Sequence, residues 1–452
     1  MQNILKILIN YSLFIKYDKS YFIKNRLIPI YEDSINLKLL VCKSSNLQTI
    51  KSDFSKILTF FEANELEILF LLSDLDIKIE LFSIIEKINI KNDDSYIKEF
   101  LQKILEFAIY KKASDIHIER FENRVLFKFR VDGKLKIFFV IDFCYFLQIS
   151  SFLKLLSNLD ITQTRLPQDG RFSIEINSKI YDFRFSSMPT IEAESLVLRV
   201  LDNTNLTKSL ETLGLNSRIY NILKENLTLN SGLILISGPT GSGKTTTLYS
   251  ILKELNSEDK KIITIEDPVE YKIPSINQVP INNKIGLSFD LALKNILRQD
   301  PDIIFIGEIR DKFSLDIALQ ASLTGHLVLA SIHASNSLET ITRLLDLKAD
   351  PFLVSTCLKL VMAQRLVLNY CQNCKQKGCE ICNFTMFQGR SSIAEILKID
   401  SEISSLIFHK ASKNEFLKYL KSIDFKTIKD DGDLKVEQNI TSLDEVLKVI
   451  NL

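Results

Sequence analysis

The sequence predicts an α/β protein whose largest part is a parallel sheet covered by helices, preceded by a smaller α+β domain and a mostly helical leading segment. Three observations carry this. The phosphate-loop pattern is complete in Gly238-Pro-Thr-Gly-Ser-Gly-Lys-Thr245, between a short β-branched run, Leu233-Ile-Leu-Ile236, and a stretch over 246–255 with helical leucine spacing. From Ser209 onward apolar strand-like runs alternate with helical ones, the pattern of a parallel sheet with helices on both faces. Two Cys-x-x-Cys pairs, Cys371/Cys374 and Cys379/Cys382, mark a small cysteine-rich module apart from the isolated Cys42, Cys144 and Cys357. A chain of 452 residues accommodates several domains. They are expected at 1–93 (helical interaction domain), 94–202 (α+β domain) and 210–452 (the phosphate-loop domain, holding the cysteine module at 368–390), with a linker at 203–209.

Taken in order, the leading segment carries stretches such as Asn64-Glu-Leu-Glu-Ile-Leu-Phe-Leu-Leu-Ser-Asp74, helical in spacing and free of chemical motifs. Lys6, Asn10, Lys16 and Asp18 interrupt the apolar N-terminus before a secretory or membrane-spanning run can form, so a cytoplasmic location is expected. After a polar break at 91–95 an amphipathic helix is expected over 97–109. Next come Ser114-Asp-Ile-His-Ile-Glu119, the alternating strand Val125-Leu-Phe-Lys-Phe-Arg-Val131 and a hairpin turn at Asp132-Gly133. Two further strands, Tyr181-Asp-Phe-Arg-Phe185 and Leu196-Val-Leu-Arg-Val200, complete that domain.

The phosphate loop implies ATP and Mg²⁺. Gly238, Gly241 and Gly243 let the backbone curl, so that the N–H groups of the loop Gly238, Pro239, Thr240, Gly241, Ser242, Gly243 and of the first helical turn, Lys244, Thr245 and Thr246, face the phosphates, proline excepted. Lys244 reaches the β- and γ-phosphates and the Thr245 hydroxyl ligates Mg²⁺. Strand Ile262-Ile-Thr-Ile265 ends in Glu266-Asp267-Pro268, and strand Ile303-Ile-Phe-Ile306 ends in Gly307-Glu308, the Walker B position. Glu266 and Glu308 are thus candidates to polarise the attacking water, Glu308 also holding Mg²⁺ through its water shell. His326 and His333, two of only four histidines, flank the strand 327–332 and are candidate γ-phosphate sensors. The cysteine spacing suits four thiolates around Zn²⁺, with Cys371, Cys374, Cys379 and Cys382 as ligands. Lys and Arg number 57 against 56 Asp and Glu, so the strongly basic balance of a nucleic-acid-coating protein is absent and no direct nucleic-acid partner is expected.

These landmarks in this order resemble the secretion ATPases of type II secretion, type IV pilus assembly and DNA-uptake machines. Beyond the phosphate loop the resemblance rests on Ala113-Ser-Asp-Ile-His-Ile-Glu119, Leu166-Pro-Gln-Asp-Gly-Arg171, Ile265-Glu-Asp-Pro-Val-Glu-Tyr271, Gly307-Glu-Ile-Arg-Asp311, Leu323-Thr-Gly-His326 and Ala363-Gln-Arg-Leu-Val367. It implies a RecA-like motor domain, a PAS-like second domain, a homohexameric ring, and an inner-membrane platform protein and cytoplasmic adaptor as partners of the leading domain. It assigns phosphate-directed arginines to Arg184 and Arg199 in the second domain and to Arg298, Arg310 and Arg343 in the motor domain. This sequence departs from the family pattern at Lys294, at His333-Ala-Ser-Asn336 and at Ala193-Glu-Ser195. The expected activity is ATP hydrolysis driving pilus or pseudopilus assembly, with a pilus retraction motor or a nucleic-acid translocase as alternatives.

Overall fold

Residues 8–91, 95–201 and 209–451 are described by the computed structural model, in which the chain divides into two units: Met1–Asp202 with Cys371–Gln388, and Asn203–Tyr370 with Gly389–Leu452. The expected linker, apart from Ser209, and the centre of the polar break at 92–94 lie outside the described residues.

In the first unit, a mostly helical segment is expected before residue 94. The structure adds a three-stranded sheet of β1 (Ile28–Glu32), β2 (Asn36–Val41) and β3 (Ile57–Glu62), in that order, with helices at Glu65–Leu72 and Leu75–Lys91. Leu37 and Leu39 on one side of β2 and Leu40 on the other are fully buried, while Lys38 is exposed, so alternation breaks after four residues and the leucine density mimics a helix. The leading segment is also not a separate globule. Phe22, Leu40 and Leu81 belong to the same buried cluster as Phe100, Phe127 and Phe183, so one core serves where two domains were expected.

The rest of that core lies under a six-stranded antiparallel sheet made of β4 (Asp115–Phe121), β5 (Arg124–Val131), β6 (Lys134–Asp142), β7 (Gln168–Ile176), β8 (Lys179–Pro189) and β9 (Glu194–Leu201). Their order is β6-β5-β4-β9-β8-β7. The hairpin turn falls where the sequence puts it, with φ of 49° at Asp132 and 84° at Gly133. Alternation sorts the faces. Phe127 and Phe129 pack edge-on against Phe100 and Phe107 of the helix Ser95–Tyr110, each pair 5.5 Å between ring centres. On the opposite face the register aligns Arg171, Arg184, Arg199, Asp115 and Arg130 as one row across five strands. The cysteine segment, expected inside the phosphate-loop domain at 368–390, groups instead with this unit over residues 371–388. Lys136 Nζ donates to the Asn383 carbonyl at 3.1 Å, and the Lys134 ammonium stands 4.9 Å from the centre of the Phe387 ring.

The second unit is built on β10 (Gly232–Ser237), β11 (Ile262–Glu266), β12 (Asn277–Pro280), β13 (Ile303–Ile306), β14 (Leu327–Ile332), β15 (Leu358–Tyr370) and β16 (Phe387–Lys398). They are ordered β12-β11-β13-β14-β10-β15-β16, and the pairs from β12 through β15 are parallel. Every residue of β10, β11, β13 and β14 is buried, as a sheet covered on both faces requires. Leu233, Leu235, Ile304 and Ile306 enter one core, and Ile234, Ile236, Ile303 and Phe305 enter the other, so successive residues feed opposite faces. Among the described residues no helix is long and apolar enough to cross a membrane.

Candidate nucleotide site and cysteine cluster

The phosphate loop leaves the buried central strand β10 and runs directly into the helix Lys244–Leu255. Gly238 has φ of 149°, and a Cβ there would meet Ser242 Oγ at 2.5 Å and the Gln364 carbonyl at 2.6 Å, so only glycine fits. Gly243 caps the helix without a side chain to occupy its first N–H groups, which leaves them to an anion. Lys244 Nζ bonds the carbonyls of Gly238 (2.7 Å) and Pro239 (3.1 Å), folding over the loop whose phosphates it is suited to meet. Burial holds this ammonium below its usual range, the Glu308 carboxylate partly offsets that, and Arg365 adds to the depression. Thr245 and Thr246 are exposed in the first helical turn. The loop's donors therefore suit a triphosphate, and the Thr245 side chain is open to solvent beside it.

The two carboxylates differ. Glu308, one residue beyond Gly307 at the end of β13, pairs with His333 Nε2 at 2.8 Å and accepts from Arg310 Nε at 2.6 Å. His333 follows β14, the neighbour of β13, so two residues 25 positions apart meet at one sheet edge because parallel strands end together. Gly307 also acquires a reason. A Cβ there would sit 3.1 Å from the Ile265 carbonyl, so glycine lets β13 lie close to β11. Glu266 is nearly fully buried at the end of β11. Its Oε1 accepts from Thr264 Oγ1 (2.6 Å) and Gln278 Nε2 (3.2 Å), and its Oε2 from the Tyr249 hydroxyl. Burial raises its pKa, against the pull of those three donors. Tyr249 and Gln278 lie in no motif, and Gln364 lies in Ala363-Gln-Arg-Leu-Val367, to which the sequence assigns no role.

His326 is not where the sequence expectation put it. It precedes β14, its carbonyl accepts from the Gly232 N–H at the start of β10, and its Nδ1 lies 2.9 Å from the Ala321 carbonyl. The phosphate loop follows the other end of β10, so the six residues of β14 separate the two histidines by about 20 Å. Of the two histidines, His333 reaches the Glu308 edge and His326 does not. Arg298 and Arg343 are exposed on the second unit, and Lys294 lies 5.0 Å from the centre of the Phe313 ring. In the first unit Arg184 and Arg199 are directly paired across β8 and β9, both exposed, and Arg199 Nε donates to Asp115 Oδ1 at 3.0 Å.

The four clustered cysteines converge. Their sulfurs all lie within 4.8 Å of one another, with Cys371–Cys379 and Cys379–Cys382 at 3.8 Å and Cys374–Cys382 at 3.9 Å. A tetrahedron with metal–sulfur bonds of about 2.3 Å has edges of about 3.8 Å, so the spacing fits one Zn²⁺. The Cys379 N–H points at Cys382 Sγ (3.2 Å), a donor suited to a thiolate.

A profile of the family described as "Type II/IV secretion system protein" matches residues 90–448. The chain is 38% identical over 410 residues to type II secretion system protein E of Aeromonas hydrophila, covering 84% of this chain and 82% of that protein. It is 39% identical over 382 residues to type II secretion system ATPase E of Vibrio cholerae, covering 79% and 76%. Among solved structures, the pilus retraction motor PilT with bound ADP is similar at 25% identity and a TM-score of 0.58, over 77% of this chain and 96% of that one. The ATPase DotB of Legionella pneumophila shares the fold, with a TM-score of 0.62 at 24% identity over 78% and 95% of the two chains.

Proposed function

The chain belongs to the Type II/IV secretion system protein family, and on that premise we propose that it is a Mg²⁺-dependent ATPase driving assembly of a pilus or pseudopilus. One observation carries the hydrolytic part: the Glu308–His333 pair sits at the sheet edge from which the phosphate loop emerges, with the Glu308 carboxylate acting on Lys244. On this reading Lys244 leaves the loop carbonyls and takes the β- and γ-phosphate oxygens. Glu308 orients the attacking water, and His333 fixes the carboxylate through its second oxygen. The Thr245 hydroxyl would hold a magnesium ion, which would supply neutralisation of phosphate charge. Glu266 is nearly fully buried and held by three internal donors, whereas Glu308 is 20% exposed on its side chain, so Glu266 ranks behind Glu308 as the water-orienting group.

Charge building on the transferring phosphoryl calls for guanidinium groups, and the resemblance supports Arg184 and Arg199 for this, with Arg298, Arg310 and Arg343 as further candidates. It also supports a ring of six copies, a cytoplasmic location at the inner membrane, and a platform protein and adaptor as partners of the leading segment. The antiparallel sheet of β4–β9 is the proposed PAS-like part, within the domain boundaries expected from sequence. The cysteine geometry supports one structural Zn²⁺ held by Cys371, Cys374, Cys379 and Cys382, a closed site that contributes local folding free energy.

Phosphate release by the purified full chain with Mg-ATP tests the hydrolytic reading. Wild type should turn over steadily and Lys244→Ala should not, while both melt alike. Equal turnover by the two would overturn it.

A further inference from the structure

Adjacent residues on β15 touch both sides of the site. β15 runs beside β10 with Ala363 opposite Ser237, which brings Gln364 alongside the start of the phosphate loop. Gln364 is fully buried. Its amide nitrogen donates to the Ser242 carbonyl at 2.8 Å, its amide oxygen accepts from Thr247 Oγ1 at 2.9 Å, and its backbone carbonyl is the atom a Cβ at Gly238 would strike. The loop is moulded on this one side chain. Arg365, about 95% buried with 5% exposure, donates from one terminal nitrogen to the Gln364 carbonyl at 3.0 Å and from the other to the Ser335 carbonyl at 2.8 Å. Its Nε is buried with no hydrogen-bond partner among the described residues. A buried guanidinium left one donor short is costly, so its place calls for a reason beyond packing.

Ser335 lies two residues past His333. The same loop is pinned again at Ser337, whose N–H and hydroxyl donate to the buried Glu395 at 2.7 and 2.6 Å. Glu395 in turn favours the charged form of Arg365. The loop carrying His333 is therefore anchored on its far side by Arg365 and Glu395, while its near side presents the imidazole to Glu308. We propose that Gln364 and Arg365 are a positioning pair: Gln364 holds the curl of the phosphate loop, and Arg365 holds the 333–336 loop so that His333 stays on Glu308. Neither residue touches the reacting phosphorus, and the proposal rests on the hydrolytic reading above.

A double-mutant cycle on the full chain tests it. Arg365→Met keeps the volume and removes the fork. It should lower kcat about 100-fold with KM and ADP affinity changed less than about threefold, the signature of a displaced catalytic group. In a His333→Ala background the same substitution should cost less than about threefold more, because its effect passes through His333. Gln364→Ala should instead weaken ADP binding. Should Arg365→Met fail to fold, Arg365→Lys carries the same cycle, since one ammonium cannot hold both carbonyls in the fork geometry. Full additivity of the two losses would overturn the positioning role while leaving hydrolysis at Glu308–His333 intact. A His333→Ala chain as fast as wild type would overturn both.

Discussion

In the seven-stranded sheet the charged residues gather at one edge, whereas in the six-stranded sheet they run as a row across one face, and strand direction accounts for the difference. Parallel strands all end on the same side, so the residues that follow β10, β13 and β14 meet there: the phosphate loop, Glu308 and His333. Antiparallel strands alternate their ends, so no edge collects them. What accumulates instead is register, and Arg171, Arg184, Arg199, Asp115 and Arg130 line up across β7, β8, β9, β4 and β5. One sheet makes a site and the other makes a cationic surface.

The largest effect that sharpens this comparison comes from the row. If its paired arginines serve the phosphoryl group, Arg184→Ala combined with Arg199→Ala should lower turnover by roughly 10³-fold, about 4 kcal/mol of barrier, with ADP affinity nearly unchanged. Retention of more than about a third of wild-type turnover would leave the row with no part in the chemistry. Next comes the cysteine segment, which groups with the sheet of the row. Metal analysis should find one zinc per chain, and Cys371→Ser should bring it below about half an equivalent. Equal zinc in both would dismiss the four-thiolate site.

At the edge of the parallel sheet, Tyr249→Phe should cost about 1–3 kcal/mol at neutral pH, because the buried Glu266 loses one of three donors. The pH dependence has a definite sign. Burial raises the folded-state pKa of Glu266, so its stabilising effect is complete below the unfolded carboxylate pKa and is lost as pH rises through the folded value. Tyr249→Phe should steepen that loss, and chemical denaturation at several pH values would read it. The smallest effect belongs to the row again. Arg199 is 62% exposed on its side chain, but Asp115 is only 10% exposed and faces Arg130 as well, so Asp115→Asn, which keeps an acceptor in place, should cost about 1 kcal/mol.

The part of this that sequence made legible is local. The phosphate loop is read from eight consecutive residues, the Asp132-Gly133 turn from two, and the cysteine cluster from its spacing. What stayed hidden depends on contacts between distant residues. Tyr249 reaches Glu266 across 17 positions and Gln364 reaches Ser242 across 122, and neither carries a pattern that announces its partner. His326 misled because flanking a strand says nothing about which end faces the loop; that requires knowing that β14 is parallel to β10. The strand β2 escaped because its alternation lasts only from Asn36 to Leu39 before Leu39, Leu40 and Val41 are buried in succession.

The most direct test of the central claim is single-turnover and steady-state hydrolysis by Glu308→Gln, with bound nucleotide measured in the same samples. The variant should bind Mg-ATP with wild-type affinity and retain it uncleaved, turnover falling at least about 100-fold because the water loses its orienting carboxylate. Hydrolysis at the wild-type rate with nucleotide bound normally would contradict the assignment of this sheet edge as the catalytic one.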